Sequence, residues 1–170
     1  SLLAFSREET STEDARPIDL AALVESVCND AADAGAKVDF SGARSGAIYG
    51  RPLALKRVFV NLIDNAVKYG DTADVEMLSG PSALTVRVCD RGPGLPEHEL
   101  EEVFRPFYRA DRARMMGKGG TGLGLSIARS ILRGHGGDLT LKNQTDGGLC
   151  ALAVVPTINE QLNVDTGIVE

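Results

Sequence analysis

The stretch RPLALKRVFVNLIDNAVKYG, residues 51–70, decides how the rest of this chain is read. Pro52 stands where the first turn of a helix tolerates proline, and Gly70 stands where a helix commonly stops. At about 100° per residue, Val58, Phe59, Leu62 and Ala66 fall together and predict a core-facing side. Asn61, Asn65 and Lys68 fall within an arc of roughly 60° on another side. Glu, Lys or Gln would serve a merely wet helix surface better than two asparagines. Amide carbonyls on a rigid helix suit a hard cation such as magnesium, and a lysine one turn later suits a phosphate. A solvated face without any ligand is the competing reading.

Outward from this helix the punctuation is regular. Upstream, Pro17 ends a polar, acidic segment, and IDLAALVESVCNDAADAG predicts a helix with Asp19 as N-cap and Gly35 as C-cap. KVDFSG and AIYG read as short strands. Downstream, ADVEMLSG and ALTVRVCD alternate like paired strands about GPS, and DLTLKNQTDGGLCALAVVP predicts a hairpin turning on Asp146, Gly147 and Gly148. Between the pairs, residues 92–121 show little regular pattern beyond a short helical stretch around PEHELEEVF. A loop of that length in a compact domain predicts a lid or binding loop. The order of elements predicts an α/β domain with helices covering one face of a mixed sheet.

Two further motifs carry chemistry. GKGGTGLGLS, residues 117–126, satisfies G-x-G-x-x-G through Gly117, Gly119 and Gly122, but no strand precedes it, which excludes a dinucleotide fingerprint. Lys118 is at the wrong end of the glycines for a Walker A loop. What survives is a glycine loop running into a helix N-terminus, which favours an anion such as phosphate; a plain hinge is the alternative. Arg105, Arg109, Arg112, Arg114 and Lys118 crowd the approach to it. In VCDRGPGLP a predicted strand ends on Asp90, with Gly92 and Gly94 following. Asp90 is either a turn residue bonded to neighbouring backbone or an acceptor for a ligand donor such as an amine.

The 43% apolar and 25% charged composition is that of a globular domain, and the net charge of −6 argues against nucleic acid as the main partner. No apolar run approaches the roughly 20 residues that span a bilayer, and SLLAFSREETSTEDAR has neither a basic n-region nor a cleavage site. Cys28, Cys89 and Cys150 show no metal spacing and read as small buried hydrophobes of a reducing compartment.

In order and spacing these motifs resemble the ATP-binding domain of sensor histidine kinases. The N box corresponds to Asn61–Tyr69, the G1 box to Asp90–Gly94, the F box to Phe104–Phe107 and the G2 box to Gly120–Gly124. The resemblance extends from Pro17 to Pro156 and implies the Bergerat ATP-binding fold. That is a two-layer α/β (α+β) sandwich, with a mixed sheet of about five strands, three main helices on one face and a long ATP lid over about residues 97–121. It implies ATP and Mg²⁺ as cofactors. Asn65 would ligate the metal; Lys68 and Arg109 would reach the phosphates; Tyr69 would lie against adenine and Asp90 would accept from its amino group. Gly92 and Gly94 would give the base room, and Lys118, Gly120, Thr121, Gly122, Leu123 and Gly124 would line the phosphates. Asn61 stands where hydrolytic relatives of this fold place a glutamate base, which favours phosphoryl transfer over hydrolysis.

The resemblance also implies an organisation. Residues 1–16 would be the end of a dimerisation helix and a linker, 17–156 the catalytic domain, and 157–170 a C-terminal tail. The acceptor histidine would lie on a separate dimerisation domain, absent from this chain, with a response regulator receiver domain downstream. His98, in HELEEVF, begins like the acceptor motif but continues with Glu101 and Glu102, and His135 reads as a helix-closing residue meeting the last carbonyls and complementing the dipole. The fragment is expected to be monomeric and cytoplasmic, taken from a membrane-anchored homodimer, and to phosphorylate itself little. The alternatives are a conformational ATPase of the same fold, a protein serine kinase of the anti-sigma type, and a degenerate binding module.

Overall fold

A computed structural model describes residues 13–108 and 122–165. A five-stranded mixed sheet runs in the order β2 (Lys37–Gly42), β4 (Thr72–Ser79), β5 (Ala83–Cys89), β7 (Leu149–Pro156), β6 (Asp138–Asn143). Only the β2–β4 pair is parallel; β4–β5, β5–β7 and β6–β7 are antiparallel. Helices α1 (Leu20–Asp33), α2 (Pro52–Gly70) and α4 (Gly124–Gly134) pack on one face of it. This is the expected two-layer sandwich.

Period-two alternation builds the sheet side of the core. Ala73, Val75 and Met77 of β4 and Leu84, Val86 and Val88 of β5 are buried beneath the helices. Leu55, Val58, Phe59, Leu62 and Ile63 of α2 meet them, each at most 2% exposed. Burying each such side chain contributes about 1.5–3 kcal/mol, so α2 is held by its inner stripe while its polar stripe is left to line something else.

Local chemistry explains the ends of the elements. Asp19 caps α1 by accepting from Ala21 N at 3.1 Å and Ala22 N at 3.4 Å, and it also accepts from Gly46 N at 3.0 Å. Gly35, one residue beyond the cap of α1, adopts φ +98°, where a side chain would be strained. Helix α2 has no side-chain cap of its own. Glu13 supplies one from outside, accepting from Leu53 N at 2.8 Å and Ala54 N at 3.1 Å and so placing an anion at the positive end of the helix.

Three expectations are corrected. Gly70 does not stop α2; it is the last helical residue, and Asp71 takes the left-handed cap at φ 64°. Glycine is required at 70 for another reason, because a Cβ there would come within 2.3 Å of the Asp90 Cβ. Pro17 does not merely end a pattern: it lies in β1 (Arg16–Asp19), which pairs with β3 (Ala47–Gly50) in a separate two-stranded sheet, where an edge position tolerates proline. Cys89 and Cys150 are not isolated hydrophobes; they face each other across β5 and β7 and form a disulfide, leaving Cys28 as the free cysteine among the described residues.

The short helix α3 (Glu99–Glu102) begins beside His98 as expected. At the other end of the chain, α5 (Ile158–Asp165) packs against β3, and the Gln161 side chain both accepts from Tyr49 N and donates to Tyr49 O, each at 2.9 Å. No helix among the described residues is long and apolar enough to cross a membrane.

Candidate functional site

The polar stripe of α2 lines a cavity of about 620 Å³, a size that suits a nucleotide-sized ligand. Asn61, Asn65, Lys68 and Tyr69 contribute from α2, Asp90 from the end of β5, and Gly122 and Gly124 from the start of α4. The floor is apolar, with Ile63, Val88, Leu141, Leu149 and Ala151 among its residues. Helical periodicity therefore brings the three polar α2 residues to one wall, as their spacing predicts.

Asp90 is 4% exposed and is held by its surroundings on every side. Its N–H donates to Leu149 O at 2.9 Å, and its carbonyl accepts from Gln144 Nε2 at 2.8 Å. Carboxylate Oδ1 accepts from Gly92 N at 2.9 Å and Leu149 N at 3.1 Å. Of the two readings of Asp90 left open by the sequence, the turn residue bonded to neighbouring backbone is the one observed. Oδ1 makes the turn, and the hydrogen bonds recorded among the described residues leave Oδ2 for a donor in the cavity. A carboxylate oxygen in so buried a place would suit a ligand that brings an N–H, such as an exocyclic amine.

The glycines serve protein packing as much as any ligand. A Cβ on Gly92 would lie 2.6 Å from Tyr69 O, and one on Gly94, at φ +72°, would lie 2.5 Å from Asn143 Oδ1. Neither glycine lines the cavity. Gly122 adopts φ +73° and its carbonyl accepts from Phe107 N at 3.0 Å, which ties a residue within the expected lid to the residue just after that lid. A Cβ on Gly124 would meet Asn61 Cγ at 3.7 Å, an ordinary contact, and Asn61 Nδ2 donates to the Gly124 carbonyl at 3.4 Å. Leu123 is buried rather than cavity-lining, and its carbonyl accepts from Ser126 Oγ and Ile127 N in the first turn of α4. Lys68 Nζ lies 5.4 Å from the Tyr69 ring centre. Arg109, Lys118, Gly120 and Thr121 lie outside the described residues.

Several site residues escape sequence reasoning. Tyr108 lines the cavity, and its hydroxyl donates to Glu99, itself 1% exposed, at 2.9 Å. Asn143 clasps the G1 loop, accepting from Leu95 N at 2.9 Å and donating to Leu95 O at 2.6 Å. Gln144 and Gly148 pack on the Asp90 backbone. In the sequence the last three are only parts of a hairpin turn; their partners lie about fifty residues away.

The donor set fits magnesium nucleotide. Among the described residues no cluster of three or more His, Cys, Asp or Glu could hold a metal alone. A hard cation bound to the amide oxygens of α2 would therefore complete its shell from phosphate and water, as magnesium commonly does.

A two-layer sandwich with a buried acceptor, an amide-lined helix and a glycine-led helix start around one cavity defines a nucleotide-binding domain. Residues 50–159 match the family of histidine kinase-, DNA gyrase B- and HSP90-like ATPases. The chain belongs to that family, as the ATP-binding catalytic domain of a sensor histidine kinase. The sensor histidine kinase GtrS of Pseudomonas aeruginosa is 41% identical over 137 residues, which cover 81% of this chain and 28% of that protein. The ATP-binding domain of PrrB from Mycobacterium tuberculosis superposes with a TM-score of 0.70 at 27% identity, over 85% of this chain and 98% of that one. The mycobacterial sensor histidine kinase MprB gives 0.75 at 24% identity over 84% and 99%, a likeness of fold alone. The chain spans about a quarter to two-fifths of the length of the first curated relatives it matches.

Proposed function

We propose that this domain binds Mg-ATP in the α2 cavity and donates the γ-phosphoryl group to a histidine on a separate dimerisation domain. It would be the cytoplasmic catalytic part of a homodimeric, membrane-anchored kinase that signals to a response regulator. The observation that carries the reading is the buried Asp90 carboxylate facing the cavity that Asn61, Asn65 and Lys68 line. Asp90 Oδ2 would accept from the adenine amino group, a charge-assisted bond contributing about 1.5–3 kcal/mol and rejecting a base that presents a carbonyl there. Tyr69 would pack against the base. Asn65 would hold magnesium, which when bound neutralises phosphate charge, and Asn61, a turn away, would face the nucleotide. Lys68, and by resemblance Arg109, Lys118, Gly120, Thr121, Gly122, Leu123 and Gly124, would hold the phosphates, residues 97–121 serving as the lid.

Phosphoryl transfer asks chiefly for alignment and charge stabilisation, and an amide at Asn61 is no general base for water. The chain's own histidines support an external acceptor. His135 is 8% exposed with both ring nitrogens engaged, and His98 sits at the start of α3 without the acceptor motif. The test is calorimetric titration with ATP and GTP, with and without magnesium, on the wild type, Asp90→Asn and Asn65→Ala. Preference for ATP should fall at least tenfold in the first variant, and the magnesium dependence should vanish in the second. Unchanged titrations in both variants reject the assignment.

A further inference from the structure

We infer that Cys89 and Cys150 form a reversible thiol–disulfide exchange site whose oxidation state sets nucleotide affinity. The coupling to affinity rests on the ATP reading above; the exchange site does not. The pairing register places the two cysteines opposite one another, with a Cα separation of 4.1 Å. Asp90 N bonds to Leu149 O at the next position, so 89 and 150 occupy a non-hydrogen-bonded pair, the register in which facing side chains lie closest. A backbone this rigid keeps the thiols within reach of each other in either oxidation state.

Both side chains lie on the sheet face away from the helices, since Val88, Leu149 and Ala151 point into the core between them. Cys89 lines a second cavity, of about 280 Å³, whose other walls include Asp39, Asp74, Glu76, Arg87 and Gln144. That polar cavity gives a hydrophilic reductant a way in. Arg87 Nη2 lies 3.9 Å from Cys89 Sγ while its Nη1 is paired with Glu76 at 3.0 Å, so a thiolate at Cys89 would form beside a cation that the ion pair holds in place. Cys28 is the contrast: on the buried face of α1, its thiol is pushed up to about 11 by burial and by the Glu25 charge. In a reducing compartment, disulfides that form are typically transient or redox-sensing rather than structural.

The exchange is balanced by a thiol reductant of the glutathione class. Its thiolate attacks the Cys89 sulfur, which lines the polar cavity, the S–S bond breaks and Cys150 departs as the thiolate. A second reductant thiol then takes the reductant's sulfur from Cys89, whose thiolate is left beside Arg87, and the two leave as the reductant's own disulfide. Two electrons pass to the protein, and two protons restore the thiols.

The coupling is short. Cys89 is followed by Asp90 and Cys150 is preceded by Leu149, and those two neighbours exchange the bonds that hold the Asp90 carboxylate in place. The cross-link therefore adds a covalent tie to the hydrogen bonds that hold the strand ends on which the adenine acceptor is mounted; reduction leaves those ends to the hydrogen bonds alone.

The test uses the 170-residue chain equilibrated in glutathione buffers of graded ratio, then acid-quenched, alkylated and weighed. Two of the three thiols should disappear together, in a peptide joining residues 89 and 150, and return with dithiothreitol under native conditions. Cys28→Ser should leave this unchanged and Cys150→Ser should abolish it. Calorimetry with Mg-ATP should give an affinity about fivefold or more higher for the oxidised chain, a coupling typical of linked sites, with Cys150→Ser matching the reduced form in both buffers. Three alkylatable thiols at every ratio, or a bond that dithiothreitol leaves intact in the native chain, overturns the exchange site. Equal affinity in both states overturns the coupling alone. A pair that interconverts in a chain that never binds ATP supports the exchange site and overturns the nucleotide reading.

Discussion

His135 shows how two backbone groups can dictate the protonation of one side chain. Nδ1 lies 2.8 Å from Ile131 O, which can only accept, and Nε2 lies 3.1 Å from Arg51 N–H, which can only donate. The ring is therefore neutral, with its proton on Nδ1. Its expected bond to a last-turn carbonyl is present, and it meets the helix end through that N–H and not through a charge. Burial pushes its pKa below the usual imidazole range; the bond to Ile131 works upward and the Arg51 charge downward. A depressed folded value means that the unfolded chain binds the proton first. His135 thus stabilises the fold above pH about 6.5, and that contribution fades as pH falls through this value. Urea midpoints should drop between pH 7.5 and 5.5 in the wild type, and the drop should shrink in His135→Gln; equal drops in both would remove His135 as the cause.

At the level of elements, Arg129 is the joint among three of them. From α4 it bonds to Asp138 of β6 at 3.0 Å and pairs with Glu101 of α3, while its guanidinium lies 4.3 Å from the Phe104 ring. Both roots of the expected lid are thereby braced against the same side chain. At Asp138, burial works to raise the pKa, but hydrogen bonds from Arg129, Arg133 and Leu139 N–H outweigh it and hold the carboxyl at about 2. The sign follows: this brace stabilises above the ordinary carboxylate range, about pH 4, and weakens as pH falls toward 2. Arg129→Lys keeps the charge but loses the planar fork. It should cost about 1.5–3 kcal/mol in urea unfolding and weaken ATP binding, whereas a variant as stable and tight-binding as wild type would reject the brace. None of this could be read in advance, because the three partners lie in elements whose contacts the sequence does not encode locally. Helices α1 and α2 were legible because caps, prolines and periodicity act within a few residues. The stripe of Asn61, Asn65 and Lys68 was legible for the same reason. Gly70 was misread because its reason for being glycine lies across the cavity at Asp90. The cysteine pair was hidden by a sequence separation of 61.

Across the whole molecule, the cavity is a seam between the two layers, with α2 on one side and the ends of β5 and β7 on the other. A ligand that bridges them adds its binding free energy to the stability of the fold. Mg-ATP at a hundredfold excess over Kd should contribute about 2.7 kcal/mol, and about 1 kcal/mol shifts the melting of a domain of this size by roughly 2–4 °C. Thermal melts should rise accordingly with Mg-ATP and less with Mg-GTP; equal rises would contradict selection by Asp90. The overall layout was legible from the order of elements. The β1–β3 ribbon was not, since Pro17 signals an edge strand and a chain break alike.

The cap that Glu13 places on α2 ties the approach to the domain to its working helix. Residue 13 grips the helix at Leu53 and Ala54, about 12 Å along its axis from Asn61 at 1.5 Å per residue. A displacement of residue 13 would therefore reach the amino end of the rod that lines the pocket directly, with one carboxylate as the coupling.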